Sequence, residues 1–244
     1  MVTYSYLSEK GDRDKNEDCV RIIKKDRENW LFLLADGLGG HGGGEIASAF
    51  VVGEAGDCYD QSPDSCPDLG LCFEHAQEKL LRKQQEEERT GALKSTLVML
   101  ELGHDQARWG HIGDSRLYYF TQRKLAARTL DHSVPQILAL SGEIRDEDIR
   151  RHPDRNRLLR VMGSDWETSS YQLSDPISCR GDEAFLLCSD GFWEYIDEGQ
   201  METCLAASEN PGQWLGKMRD IVLRNGQGQT MDNFSAVTVM LFGR

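Results

Sequence analysis

The chain has no hydrophobic run long enough to cross a bilayer. Its longest apolar stretches, WLFLLA and TLVML, have the length of buried strands, whereas a membrane helix needs about 20 apolar residues. The opening MVTYSYLSEKGDRDKNED has no basic region followed by an apolar one, so no secretion signal is expected. The seven cysteines are odd in number and form no C-x-x-C pair, and the six histidines include no H-E-x-x-H. Neither a disulfide framework nor a zinc site built from His and Cys is expected, and a reduced, cytoplasmic protein is the natural reading. Basic residues are scarce as well: 28 Lys and Arg stand against 41 Asp and Glu, a net charge of −13. That surface disfavours nonspecific binding to nucleic acid or anionic lipid, so neither nucleic acid nor membrane is expected as a partner. A substrate carrying phosphate would need a local reversal of sign, which bound divalent cations provide. Solubility alone accounts for much of the acidity.

What is present suits one soluble domain spanning residues 1–244, with 39% hydrophobic and 28% charged residues. Strand-length apolar runs recur at 30–35, 96–102, 107–120, 184–188 and 234–242. Helical patterns occupy 44–57, 70–89, 199–208 and 211–224. In the second, Leu71, His75, Glu78 and Leu81 follow helical spacing. The last has Asn210 as its expected cap, Pro211 in the first turn and Gly226 past the end. Strands and helices are grouped and do not alternate strictly, which favours an α+β fold over a doubly wound parallel sheet.

One stretch, LFLLADGLGGHGGGEIA (31–47), fits G-x-G-x-x-G through Gly37, Gly39 and Gly42. A dinucleotide turn, however, would place pyrophosphate where Asp36 opposes it, and the alternation of strands and helices belonging to that fold is missing. A glycine-rich turn with a capping aspartate is the plainer alternative. The stretch is not isolated. EAFLLCSDGFWEYID (183–197) again delivers an aspartate, Asp190, at a strand end with a glycine behind it. Asp114 sits in a Gly-Asp-Ser turn, Glu17 and Asp18 are adjacent in DKNEDCV, and Asp232 leads into the last strand. Carboxylates gathered at strand ends and turns are the donors that hard cations such as Mg²⁺ and Mn²⁺ take.

In order along the chain, GDRDKNED, ADGLGGHGGGEIA, GALKSTLVML, GHIGDSR, LDHSV, LCSDGFWEYID and MDNFSAVTVML resemble the motifs of the metal-dependent protein phosphatases, the protein phosphatase 2C family, in its compact bacterial form. The resemblance runs from residue 11 to residue 241. It implies a β-sandwich of two antiparallel sheets flanked by helix pairs, a Mn²⁺ or Mg²⁺ centre with two principal ions and a weaker third, and hydrolysis of phosphoserine and phosphothreonine in proteins without a phosphoenzyme. A Ser/Thr protein kinase is among the partners it implies. By the same resemblance Asp36 bridges the two principal metals, Gly37 offers a carbonyl, and Asp190 and Asp232 bind the first metal. Asp18 lies near the metals, and Glu17 binds the second directly or through water. Asp114 would form the third site with Asp190, open to solvent and weakly held. Arg13 matches the phosphate-binding arginine, though an arginine in an acidic turn is often only an ion pair. Asn233 would fix its loop by hydrogen bonds.

His41 stands five residues after Asp36, where it could protonate a leaving group or cap the following helix. The segment 131–163 resembles a flap and the arginine-bearing stretch after it. It is expected to be a short, mostly helical insertion edging the cleft, or else a solvated connection. Two other functions remain open on sequence: a phosphodiesterase or small-molecule phosphatase on the same centre, and a phosphoprotein-binding pseudophosphatase.

Overall fold

The computed structural model describes residues 1–39, 43–64, 66–103, 105–166 and 170–243. Strands β1 (Val2–Glu9), β2 (Asp18–Lys24) and β3 (Trp30–Leu38) lead into the helix pair α1 (Gly43–Gln61) and α2 (Leu69–Glu86). A run of strands follows: β4 (Lys94–Ser95), β5 (Leu97–Gly103), β6 (Gln106–Ile112), β7 (Arg116–Thr121) and β8 (Lys124–Arg128). Helix α3 (Val134–Leu140) and a 3₁₀ turn (Asp146–Arg151) precede β9 (Gln172–Leu173), β10 (Ile177–Ser178) and β11 (Glu183–Cys188). The remaining elements are α4 (Asp190–Trp193), α5 (Glu198–Ala206), α6 (Pro211–Asn225) and β12 (Phe234–Leu241).

Two antiparallel sheets result. One has the order β1-β12-β11-β7-β8, and the other β10-β6-β5-β3-β2, with β4 on β3 and β9 on β6. Phe32, Leu34, Val98, Leu100, Phe185 and Val237 pack between the sheets. The opposite faces are also covered. Leu31, Leu33 and Ala35 of β3 meet α1 and α2, while Leu186, Cys188 and Ala236 meet α5 and α6. A strand buried on both faces has no polar side to show, which is why β3 and β11 read as unbroken apolar runs. The order helix–sheet–sheet–helix is the α+β sandwich expected. No described helix is long and apolar enough to cross a membrane.

Local signals are realised closely. Asn210 Oδ1 caps α6 by accepting from Gln213 N at 3.0 Å, with Pro211 in the first turn. In α2 the period is as expected but the stripe faces outward: Leu71 is 60% exposed, and Cys72, Phe73, Ala76 and Leu80 form the buried side. His75 instead reaches across to Glu54 of α1, Nε2 to Oε2 at 3.1 Å. The run 107–120 is two strands, broken at Gly113–Ser115. The segment 131–163 is less helical than expected, with α3 and one 3₁₀ turn joined by a turn at 141–145 and followed by further turns. All seven cysteines are free.

Candidate metal centre

Antiparallel register assembles the acids. The β2–β3 pairing sets Asp18 directly opposite Asp36. In the other sheet Cys188, just before Ser189 and Asp190, pairs with Ala236 on one side and Arg116 on the other. The ends of β3 and β11 and the starts of β2, β7 and β12 therefore lie at one end of the sandwich. Asp36 is held by its backbone: its N–H donates to Thr96 Oγ1 at 2.8 Å, and its carbonyl accepts from Thr96 N at 2.8 Å and Ser95 Oγ at 2.9 Å. These bonds engage only its backbone, and the side chain faces Asp190.

Both Asp-Gly pairs need glycine for one reason, backbone laid on backbone. A Cβ on Gly37 would stand 2.0 Å from the carbonyl oxygen of Gly44 in the first turn of α1. One on Gly191 would stand 2.1 Å from the carbonyl oxygen of Asn233. Each glycine lets a helix start press against a neighbouring strand end or loop. Asn233 then ties the loop between β1 and β2 to the start of β12. Its Oδ1 accepts from Glu17 N at 2.7 Å, and its Nδ2 donates to the carbonyls of Lys10 and Lys15, each at 2.8 Å. Ser189 Oγ donates to Asp18 Oδ2 at 2.8 Å. The turn carrying Asp114 is gripped as well: Trp193 Nε1 donates to the Asp114 carbonyl at 2.9 Å, and Gly113 N donates to His132 Nδ1 at 3.2 Å.

The electrostatics are those of crowded like charges. Burial, reinforced by Asp190 and Asp232, pushes the Asp18 carboxyl up to about 7 against the pull of the Ser235 and Ser189 hydroxyls. Burial and then Asp232 push Asp190 up to about 6. Asp36 and Asp114 stand well above the usual carboxylate range, from burial first and Asp190 next. Glu17 is raised by burial and Asp232. Asp18 Oδ1 and Asp114 Oδ1 are buried with no hydrogen-bond partner among the described residues. Orphaned buried carboxylate oxygens are costly unless something cationic meets them. An all-oxygen set of this kind fits Mg²⁺ or Mn²⁺. Among the described residues no three acids close around a single point as a finished cage; they share one end of the sandwich on five chain segments.

Arg13 is paired: its Nη2 lies 2.6 Å from Asp232 Oδ2, with both side chains substantially exposed. It shares a cavity of about 80 Å³ with Asp190, Asp232, Arg155, Glu194 and Tyr195. The last three also line a larger neighbouring groove of about 800 Å³. Asp114 departs from expectation, being 4% exposed where an open position was anticipated. The indole of Trp193, itself buried, bonds to its carbonyl. His41 lies outside the described residues. Glu194 and Arg155, neither of them singled out by the sequence motifs, form an ion pair with Nε to Oε1 at 2.6 Å. Burial, then Asp190, pushes Glu194 up to about 7. The available signal was spacing: Glu194 follows Asp190 by one helical turn, and its N–H donates to the Asp190 carbonyl at 2.9 Å.

The sequence and the fold are both similar to those of known proteins. A sequence profile of the family described as Protein phosphatase 2C matches residues 10–211. The serine/threonine phosphatase stp of Listeria monocytogenes is 28% identical over 199 residues, covering 79% of this chain and 78% of that protein. The crystal structure of the serine/threonine phosphatase Stp1 from Staphylococcus aureus superposes with a TM-score of 0.87 at 27% identity, over 100% of this chain and 96% of that one. The catalytic domain of the serine threonine protein phosphatase PstP, solved in complex with two manganese ions, superposes with a TM-score of 0.81 at 24% identity, over 99% of this chain and 98% of that one.

Proposed function

The chain belongs to the protein phosphatase 2C family, and from that premise we propose that it is a metal-dependent serine/threonine protein phosphatase whose centre is the acid cluster at the strand ends. The observation that carries this reading is the pair of buried carboxylate oxygens, Asp18 Oδ1 and Asp114 Oδ1, that have no hydrogen-bond partner among the described residues and stand within a group of acids. Asp36, Asp190, Asp232, Asp18 and Glu17, with the Gly37 carbonyl, would hold two principal Mn²⁺ or Mg²⁺ ions, and Asp114 with Asp190 a third. Manganese in the PstP structure supports that choice of metal. Such ions, when bound, neutralise phosphoryl oxygens and lower the pKa of water towards neutrality.

The chain's own residues do the rest. The raised carboxyls of Asp18, Asp36, Asp114 and Asp190 must release protons before they can serve as ligands. Arg13 presents a planar fork at the mouth of the cavity, and exchanging Asp232 for a phosphate dianion would orient that group. Asn233 keeps Arg13 and Glu17 on the same rigid loop, so orientation is set before substrate arrives. His41 is the proposed general acid for the leaving alkoxide. Substrates are phosphoproteins, and we infer that a Ser/Thr kinase is one of them. Residues 1–244 form the catalytic domain in this reading, and the free cysteines suit a cytoplasmic location.

The test is direct. Purified protein should hydrolyse p-nitrophenyl phosphate and phosphothreonine peptides with Mn²⁺ and stop in EDTA. Undiminished turnover after exhaustive chelation would sink the reading.

A further inference from the structure

The acidity of this chain is locally reversed beside the centre. Between 150 and 160 stand five of its 28 basic residues, Arg150, Arg151, Arg155, Arg157 and Arg160, against a single acid, Asp154. The structure lays this segment along the rim of the centre. Arg155 and Asn156 line the small cavity with Asp190 and Asp232. Leu158 bridges Ser133, and Leu159 N donates to the carbonyl of His132, whose ring holds Gly113 beside Asp114. Met162 then pairs with Ser95, next to the strand end that carries Asp36. The segment thus passes the cavity, the Asp114 turn and the end of β3 in succession.

Its arginines divide into two groups. Arg150 is committed to Glu198 and Arg155 to Glu194. Arg151, Arg157 and Arg160 are exposed and pair with no carboxylate among the described residues. Arg151 also lines the groove of about 800 Å³ that adjoins the cavity. In a protein of net charge −13, guanidinium groups left unpaired beside an acidic centre meet that centre's field and little else. An incoming anion would find its favourable potential here.

We propose that Arg151, Arg157 and Arg160 form a docking rim that selects phosphoprotein segments carrying acidic side chains, or a second phosphate, within a few residues of the phosphoserine or phosphothreonine. The inference rests on the phosphatase reading and narrows its substrate class. Arginine suits the task because its fork takes carboxylate and phosphate alike, while the exposure of these three lets them adapt to different spacings. Exposed pairs contribute little singly, so the selection comes from two or three acting together and is screened by salt.

The experiment uses two phosphothreonine peptides of equal length, one with Glu at the flanking positions and one with Ala. Wild-type protein with Mn²⁺ at low salt should favour the Glu peptide by about tenfold in kcat/KM, most of it in KM. The preference should shrink towards parity at about 0.5 M salt. The double variant Arg157→Ala/Arg160→Ala should abolish it while hydrolysing p-nitrophenyl phosphate at the wild-type rate, which also reports an intact fold. Arg157→Lys/Arg160→Lys should restore it in part, since charge returns without the fork. Equal rates on both peptides with normal p-nitrophenyl phosphate turnover would overturn the docking rim alone. A preference that survives in the double Ala variant would do the same. Wild-type protein inert towards p-nitrophenyl phosphate as well would overturn the phosphatase reading and the rim with it.

Discussion

Two buried charge sites lie two residues apart in the chain and obey opposite rules. Arg116 meets Asp131 in a bidentate pair, Nε to Oδ1 at 2.8 Å and Nη2 to Oδ2 at 2.7 Å, with both side chains at most 2% exposed. Its remaining donor Nη1 bonds to Tyr118 Oη at 3.0 Å, and its guanidinium lies 3.5 Å above the Trp193 ring. Asp114, on the same turn, has a buried oxygen with no hydrogen-bond partner among the described residues, and burial, then Asp190 and Asp131, push its carboxyl up against the pull of Arg116. One site is matched in charge and geometry, and it braces the junction of β7, the segment before α3 and α4. The other keeps like charges together at a cost that the rest of the fold carries. The pairing shows what this chain does with a buried charge meant to stay put, and so marks the acid cluster as built for something that arrives.

The sharpest way to break the contrast is to neutralise one carboxylate on each side. Asp36→Asn should reduce phosphatase turnover by about a thousandfold or more, the effect of several kcal/mol of lost transition-state stabilisation. In chelator it should raise the thermal midpoint, because a buried carboxyl whose ionisation the fold opposes is gone. Asp131→Asn should do the reverse in the folding assay: with Arg116 left buried and uncompensated, urea denaturation should show a loss of about 3–5 kcal/mol. If both variants lose stability alike in chelator, the two regions do not differ in the way described.

A smaller effect appears with pH. The folded carboxyls of Asp18 and Asp190 titrate at about 7 and about 6, against about 4 in an unfolded chain. Between those values the native state binds more protons than the unfolded one. The stability these groups contribute is therefore complete below about pH 4 and lost as pH rises through 6 to 7. In chelator the thermal midpoint should fall between about pH 5 and 8, while the gap between Mn²⁺-loaded and chelated protein widens over the same range. A gap that stays constant with pH would mean the acids are already ionised in the folded protein.

The smallest expected effect concerns Arg13, which borders the cluster from outside. Arg13→Ala should raise KM for a phosphopeptide by about tenfold and leave Mn²⁺ affinity by calorimetry equal or slightly higher, since Asp232 loses a competing cation. A fall in Mn²⁺ affinity would make Arg13 a support of the cluster and not a reader of phosphate.

Much of this was legible before any tertiary contact was known. Strands β3, β11 and β12 announced themselves because burial on both faces leaves an unbroken apolar run, and α6 because its cap, proline and glycine are local devices. Strands β1, β2 and β8 were not read. They lie at or near sheet edges, and in VTYSYLSE and KLAAR the half-exposed residues alternate too weakly to stand out. Helix α2 was legible in place and period but not in its buried face, since spacing alone does not say which side α1 will cover.

The site divides along the same line. The sequence by itself determined which residues could serve: oxygen donors in Asp-Gly, Gly-Asp-Ser and Glu-Asp settings, in an order resembling one family, within a chain otherwise short of positive charge. Those are properties of neighbours a few positions apart, where backbone conformation and turn chemistry act. Tertiary structure alone decided that Asp18 faces Asp36, that Asp114 is sealed by an indole 79 residues further along, and that Arg13 spends its charge on Asp232. Register and burial are set by contacts between segments far apart in the chain, and a carboxylate's desolvation and repulsion exist only once those segments have met.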